Sequence, residues 1–168
     1  MPRDQITPRV FLGTLAIVPR TDLKKVDEWG MFHSEDLGSQ LRNSLSEIFT
    51  LPLAKDVREP KSTDLALDVI IPSYQAGSAL SVDLGDIGFP LFWRPKLEVR
   101  ARLYGLQSKK TTRVFAVTEK LGWSSYISRL FTWHAIFRFR PMFDKADMEY
   151  LLYQACGKLL QEIKNAIN

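Results

Sequence analysis

Few side chains in this sequence have the type and spacing that catalysis or metal binding requires. Asp83 and Asp86 stand close together in a glycine-flanked turn, where two carboxylates in different surroundings could act as an acid and a base. Turns also favour Asp because its side chain bonds to the nearby backbone, and this structural interpretation fits the pair better. The two histidines, His33 and His134, are far apart and have no carboxylates at metal-ligand spacing. We therefore expect no catalytic residue and no metal site.

The single cysteine, Cys156, falls within the apolar stripe of a predicted helix. A nucleophilic thiolate needs an accessible and basic setting, so this position predicts a buried thiol that packs like a small hydrophobic side chain. The glycines at 85, 88 and 105 are dispersed and form no nucleotide-binding fingerprint. We expect no cofactor, and we predict that the protein is not an enzyme.

Two pairs of arginines are stronger candidates for a binding site. Arg100 with Arg102, and Arg138 with Arg140, are each two residues apart on a predicted strand, so each pair projects from one face. If the strands are neighbours, four guanidinium groups share a surface that could hold phosphate or an anionic polymer. The alternative is that these charges simply lie on the solvent-exposed face of a sheet whose other face packs on the core. Nucleic acid is disfavoured, because only Tyr104 places an aromatic ring beside the charges.

An aromatic loop before the strand of Arg100 is the second candidate. Its predicted contact residues are Phe89, Phe92, Trp93 and Arg94. Such a loop could enter a membrane interface or bind a neighbouring protein, and it could equally close one end of the protein's own core. Trp123 and Tyr126 could join it.

Both candidates lie in the stretch 89–143, which concentrates the aromatic residues and the positive charge. It holds 12 of the 19 aromatic residues, and 11 basic against 2 acidic residues, whereas the whole chain carries a formal charge of only +4. Anionic partners are therefore plausible. We expect protein partners or self-association, with a membrane surface or an anionic polymer as further options.

The elements that must position these residues follow from the apolar spacing. The predicted strands are Arg9–Val18, Leu65–Ile71 ended by Pro72, a weaker Leu80–Leu84, Lys96–Tyr104, Thr112–Lys120 and Leu130–Arg140. The predicted helices begin at Ser34 and at Asp144, and the second carries a continuous stripe that includes Leu159 and Leu160. We expect an α+β fold in a single domain over residues 1–168: a two-layer sandwich with a mostly antiparallel sheet of about five strands and two helices on one face.

The end of the chain resembles the TolB amino-terminal-like domains of bacterial envelope lipoproteins. The resemblance lies in a hairpin over Val99–Glu119, then an aromatic strand, then Phe143–Met148 leading into Leu151, Leu152 and Ala155. The beginning, a buried strand followed by a Leu-striped helix, is similar to their start. The resemblance implies a periplasmic, often membrane-tethered accessory role in export or envelope assembly, frequently as oligomers or rings. It transfers no functional residue to a numbered position.

The same element order is similar to that of helix-grip lipid-binding domains. In those domains the sheet wraps the last helix and leaves an apolar cavity. Trp133, Phe137 and Phe139 would line such a cavity, or they would fill a solid core. A lipid or small-ligand binder is therefore the alternative function.

The first function that we predict is a non-enzymatic accessory protein of the cell envelope that acts by association. No apolar run reaches the length of a membrane-spanning helix, and residues 1–9 show no signal-peptide pattern. A periplasmic protein would then need a targeting segment or tether that precedes residue 1. A cytoplasmic location stays open.

Overall fold

The computed structural model describes residues 8–18, 34–75, 94–130 and 145–167. The elements are β1 (Val10–Ile17), α1 (Ser34–Ile48), a 3-10 turn (Ala54–Asp56), β2 (Leu65–Gln75), β3 (Lys96–Gly105), β4 (Thr111–Lys120), α2 (Trp123–Leu130) and α3 (Lys145–Ile167). The predicted strand Leu80–Leu84 and residues 131–140 of the last predicted strand lie outside the described residues.

Within the described ranges the four strands form one mixed sheet in the order β1-β2-β3-β4. β1 pairs with β2 in parallel, and the other two pairings are antiparallel. The parallel pair arises because α1 carries the chain back across the sheet between β1 and β2. The α+β class and the β3–β4 hairpin are thus confirmed, whereas the expected five strands and antiparallel character are matched only roughly.

Both long helices pack on the same face of this sheet. Their buried residues share one core with the inward residues of all four strands, such as Leu12, Leu67, Val99 and Val117. Alternate residues of a strand point to opposite faces, so β3 gives Leu97, Val99, Ala101 and Leu103 to this core. Ser44 of α1 donates a hydrogen bond to Glu149 Oε1 of α3 at 3.1 Å, which joins the two helices.

The prediction that Pro72 ends the second strand is wrong, because β2 continues to Gln75. The pairing with β3 shifts register between Ile70 and Ser73, and Pro72 sits in that irregularity. Proline lacks a backbone N–H to donate to a sheet, so a bulge is where a strand accommodates it.

The inward face of α3 is nearly as predicted. Met148, Leu152, Ala155 and Cys156 are buried. Leu160 is the exception, because it is 39% exposed whereas Leu159 is fully buried. Successive helical residues are rotated by about 100°; Leu159 follows Ala155 and Cys156 at the middle of the buried face, so Leu160 falls at the edge of that face.

Candidate functional site

Arg100 and Arg102 both project from the outer face of β3, the face without α1 and α3. Their side chains are half-exposed, and each is paired with a carboxylate. Arg100 Nε donates to Glu98 Oε1 at 2.7 Å, and this bond holds the pKa of Glu98 below its usual range. Arg102 donates to Asp68 Oδ2 from Nη2 at 2.6 Å and from Nε at 3.2 Å.

These ion pairs change what the arginine surface can do. An anion would have to compete with Glu98 and Asp68, which already occupy the guanidinium groups. The other predicted pair, Arg138 and Arg140, lies outside the described residues. The four-arginine surface therefore stays a prediction, and its described half is a set of surface ion pairs.

Asp68 is the centre of a polar cluster on this outer face. The pairing of β1 with β2 shifts register between Leu12 and Leu15, and the freed Thr14 N–H donates to Asp68 Oδ1 at 2.9 Å. The Tyr104 hydroxyl lies 3.5 Å from the same oxygen, and the Arg102 guanidinium stacks over the Tyr104 ring at 4.8 Å. Burial, and then the nearby Asp68 charge, raise the pKa of Tyr104.

The cluster ties three strands together and has no feature of an acid–base site. The cluster requires a glycine at position 13, because a Cβ at Gly13 would stand 2.2 Å from Asp68 Oδ1 and 2.8 Å from the Tyr104 hydroxyl. Sequence reasoning missed this cluster. Asp68 stands between Leu67 and Val69, so strand alternation places it on the outer face, but its pairing with Arg102 depends on the β2–β3 register.

A third ion pair joins the residues just before β1 and β2. Arg9 donates to both carboxylate oxygens of Asp64, from Nε at 2.9 Å and from Nη2 at 2.6 Å. The Lys61 N–H donates to Asp64 Oδ2 at 2.8 Å, and the side chain of Asp64 is only 1% exposed. The hydrogen bond from Arg9 holds the pKa of Asp64 below its usual value.

This pair predicts a loss of stability in acid. A carboxyl with a depressed folded pKa stabilises the fold above its unfolded pKa of about 4, and that contribution disappears as the pH falls through the folded value. Asp64→Asn should therefore lower the free energy of unfolding clearly at neutral pH and less at about pH 3, because below the unfolded pKa of about 4 the contribution of the carboxylate is already partly lost. Urea unfolding of both proteins at the two pH values measures the difference. The exposed Asp56 supplies the control Asp56→Asn, and an equal pH dependence in that variant would contradict the assignment.

The end of the aromatic loop meets the start of α2. The guanidinium carbon of Arg94 lies 4.3 Å from the centre of the Trp123 ring, while that ring stays 52% exposed. The Leu121 N–H donates to the Pro95 carbonyl at 3.0 Å, and both of these residues are buried. This hydrogen bond joins the segment before β3 to the segment after β4. The structure thus brings Arg94 and Trp123 together as the sequence hypothesis allowed. Phe89, Phe92 and Trp93 lie outside the described residues.

Two lysines stand beside this contact. Lys96 and Lys120 are directly opposite each other in the β3–β4 register, next to Pro95 and Leu121 in the chain. Like charges directly opposite on neighbouring strands destabilise a sheet, so this opposition does not itself stabilise the fold, although the Lys96 charge also acts favourably on the Glu98 carboxylate. We call Arg94, Lys96, Lys120 and Trp123 the basic corner. It combines positive charge with an exposed ring of the type that anchors binding surfaces.

The residues considered for chemistry give no site in the part of the chain that the structure describes. Burial raises the pKa of Cys156 to about 12, so the thiol is neutral and inaccessible. His33, His134, Asp83 and Asp86 lie outside the described residues. Among residues 8–18, 34–75, 94–130 and 145–167, His, Cys, Asp and Glu side chains form no group of three that could hold a metal ion. Over the same ranges, no helix has the length and apolar character needed to span a membrane.

Comparisons with known proteins give structural likeness alone. The chain matches no protein-family model, and no curated protein matches it. A hypothetical protein, CT253 from Chlamydia trachomatis, aligns over 95% of this chain and 98% of its own with a TM-score of 0.40 and 9% identity. A PelC dodecamer from Paraburkholderia phytofirmans aligns over 88% and 84% with a TM-score of 0.37 and 12% identity. Lipoprotein GNA1162 from Neisseria meningitidis aligns over 73% and 92% with a TM-score of 0.30 and 15% identity. Likeness at this level establishes no shared family, and no functional residue is carried over from these proteins.

Proposed function

We propose that this protein is a non-enzymatic accessory protein of the bacterial cell envelope, and that it acts by associating with an anionic membrane surface through the basic corner. The envelope assignment rests on the resemblance of the sequence to TolB amino-terminal-like domains. The observation that carries the mode of action is the exposed Trp123 ring stacked beneath Arg94.

The residue types of the basic corner match what an anionic lipid surface attracts. Trp is favoured at the boundary between headgroups and hydrocarbon, because its ring is apolar and its N–H can still hydrogen-bond. Arg94, Lys96 and Lys120 supply charge for phosphate headgroups, and each basic residue near such a surface contributes roughly 1 kcal/mol. Contact with the membrane would also remove the repulsion between Lys96 and Lys120 that the isolated fold tolerates.

Co-sedimentation with vesicles tests the proposal. Wild-type protein should pellet with phosphatidylglycerol-containing vesicles and less with pure phosphatidylcholine vesicles, and added salt should weaken the binding. Lys96→Gln with Lys120→Gln should reduce the partition coefficient by about tenfold or more, since two charges are lost. Trp123→Ala should reduce it severalfold for both vesicle types, because the ring contributes independently of lipid charge.

The hairpin supplies a matched control at its other end. Lys110 and Arg113 are exposed residues there, so Lys110→Gln with Arg113→Gln removes the same charge from a different place. This control should bind almost as the wild type does. If it loses as much as the Lys96 and Lys120 variant, attraction is spread over the whole basic surface and the basic corner is not the contact. A wild-type protein that stays in the supernatant with both vesicle types would contradict membrane association altogether.

A further inference from the structure

Three large apolar side chains are exposed on the outward face of α3, which points away from the core. Tyr150, Tyr153 and Leu160 are 58%, 48% and 39% exposed. Their spacing of three to four residues or multiples of it places them, with Gly157, on one side of the helix. A Cβ at Gly157 would meet no atom within 4 Å, so the surface is open at its middle.

This face is also nearly free of charge. We call it the α3 face, and its residues are Tyr150, Tyr153, Gln154, Gly157, Leu160 and Gln161. Lys164 adds the one charge at its end. The solvent side of an amphipathic helix ordinarily carries charged residues, whereas the centre of a protein interface is depleted of charge and enriched in Tyr.

We propose that a second copy of this chain occupies the α3 face, in an antiparallel pair of helices whose two-fold axis passes at Gly157. An interface between identical copies must be complementary to itself. About Gly157, an antiparallel pair sets Tyr153 against Leu160 of the second copy and Tyr150 against Lys164 of the second copy. The glycine at the axis lets the two backbones approach closely.

The charges on this helix favour the antiparallel arrangement over the parallel one. Lys164 would lie over the Tyr150 ring of the second copy, where a cation–π contact forms, and beside its Glu149 carboxylate. A parallel pair would instead bring the two Lys164 side chains together, with nothing on the face to neutralise them. The antiparallel pair also sets the two helix dipoles in opposite directions.

The inference goes beyond the proposed function, because it concerns a different surface of the protein. The basic corner is formed by residues 94–96 and 120–123, so the two surfaces share no residue. A single pair of helices buries an area at the low end for stable interfaces, so we expect a weak dimer that forms with rising protein concentration.

Sedimentation velocity from low micromolar to several hundred micromolar protein tests the dimer. Wild-type mass should rise towards twice that of the monomer. Tyr153→Ala with Leu160→Ala should weaken dimerisation by at least about tenfold, as expected for residues at the centre of an interface. Trp123→Ala should dimerise like the wild type, and it is the matched control on the other surface.

Cross-linking tests the register of the two helices directly. In an antiparallel pair, the cysteine of Gly157→Cys meets its counterpart at the axis and should form a disulfide under mild oxidation. The cysteine of Lys164→Cys would be separated from its counterpart by roughly 20 Å along the helices, far beyond disulfide reach, and should not cross-link. The native Cys156 is buried, so it does not compete.

Three results would overturn the inference. These are a wild-type monomer at every concentration, a dimer unaffected by Tyr153→Ala with Leu160→Ala, and disulfides from Lys164→Cys as readily as from Gly157→Cys. None of them bears on vesicle binding, so the proposed membrane contact would stand or fall separately. Loss of vesicle binding in a protein that still dimerises would remove the membrane proposal and leave the dimer.

Discussion

Leu159→Ala is expected to lower the free energy of unfolding by about 2–5 kcal/mol. Leu159 is fully buried in the core that α3 shares with the sheet. Truncation removes its buried methyl groups and leaves a cavity, because neighbours in a close-packed interior relax only partly. Urea unfolding followed by circular dichroism measures the loss.

The next residue along the helix is the natural control for this prediction. Leu160 lies on the α3 face and is 39% exposed, so Leu160→Ala should cost less than about 1 kcal/mol. The comparison is made at low protein concentration, where the proposed dimer does not contribute. Equal losses in the two variants would mean that α3 is rotated from the orientation described, and the α3 face would lose its basis.

Gly13→Ala is the second large effect that we expect, at about 1–3 kcal/mol of lost stability. The new Cβ would stand 2.2 Å from Asp68 Oδ1, which is far inside contact distance. Asp68 must then move, and it cannot move without weakening its bonds to the Thr14 N–H and to Arg102. The cost is therefore the loss of a cluster rather than of one contact.

A double-mutant cycle separates this explanation from a general sensitivity of β1. In the Asp68→Ala background the nearer of the two clashing oxygens is gone and only the Tyr104 hydroxyl remains, so Gly13→Ala should cost clearly less than it does in the wild type. Gly122→Ala is the control, because a Cβ at Gly122 meets nothing within 4 Å. Additive costs at Gly13 and Asp68 would show that the close approach is not what requires glycine.

Much of the local structure could be predicted from the sequence because it depends on neighbouring residues. The alternation along β3 and the apolar stripes of α1 and α3 arise because each of these elements turns one side to the same core. The sequence between Gly122 and Leu130 allows either a loop or a helical turn, and the structure has the helix α2 there. Eight residues are too few for a spacing pattern to separate the two.

The features that escaped prediction depend on contacts between distant segments. Asp64 ends a charged stretch of sequence with little apolar content, yet Arg9, 55 residues away, makes it a buried ion-pair partner. Arg102 looked available to an anion, yet Asp68 of the neighbouring strand occupies it. Lys96 and Lys120 are opposite each other because of the register of the β3–β4 hairpin, and the predicted bounds of the two strands are compatible with that register. Pairing partners across a sheet depend on register, and a register shift such as the one at Pro72 changes them without any local signal.

The buried thiol of Cys156 makes the opening of the fold directly measurable. It is the single cysteine of the chain, it lies on the buried face of α3 with 1% exposure, and its pKa is raised to about 12. A thiol reagent can reach it only in molecules whose last helix has separated from the sheet, and there the thiol ionises normally. The rate of modification therefore reports how often that helix detaches. Compared between dilute and concentrated protein, it shows whether association of two copies holds the helix in place.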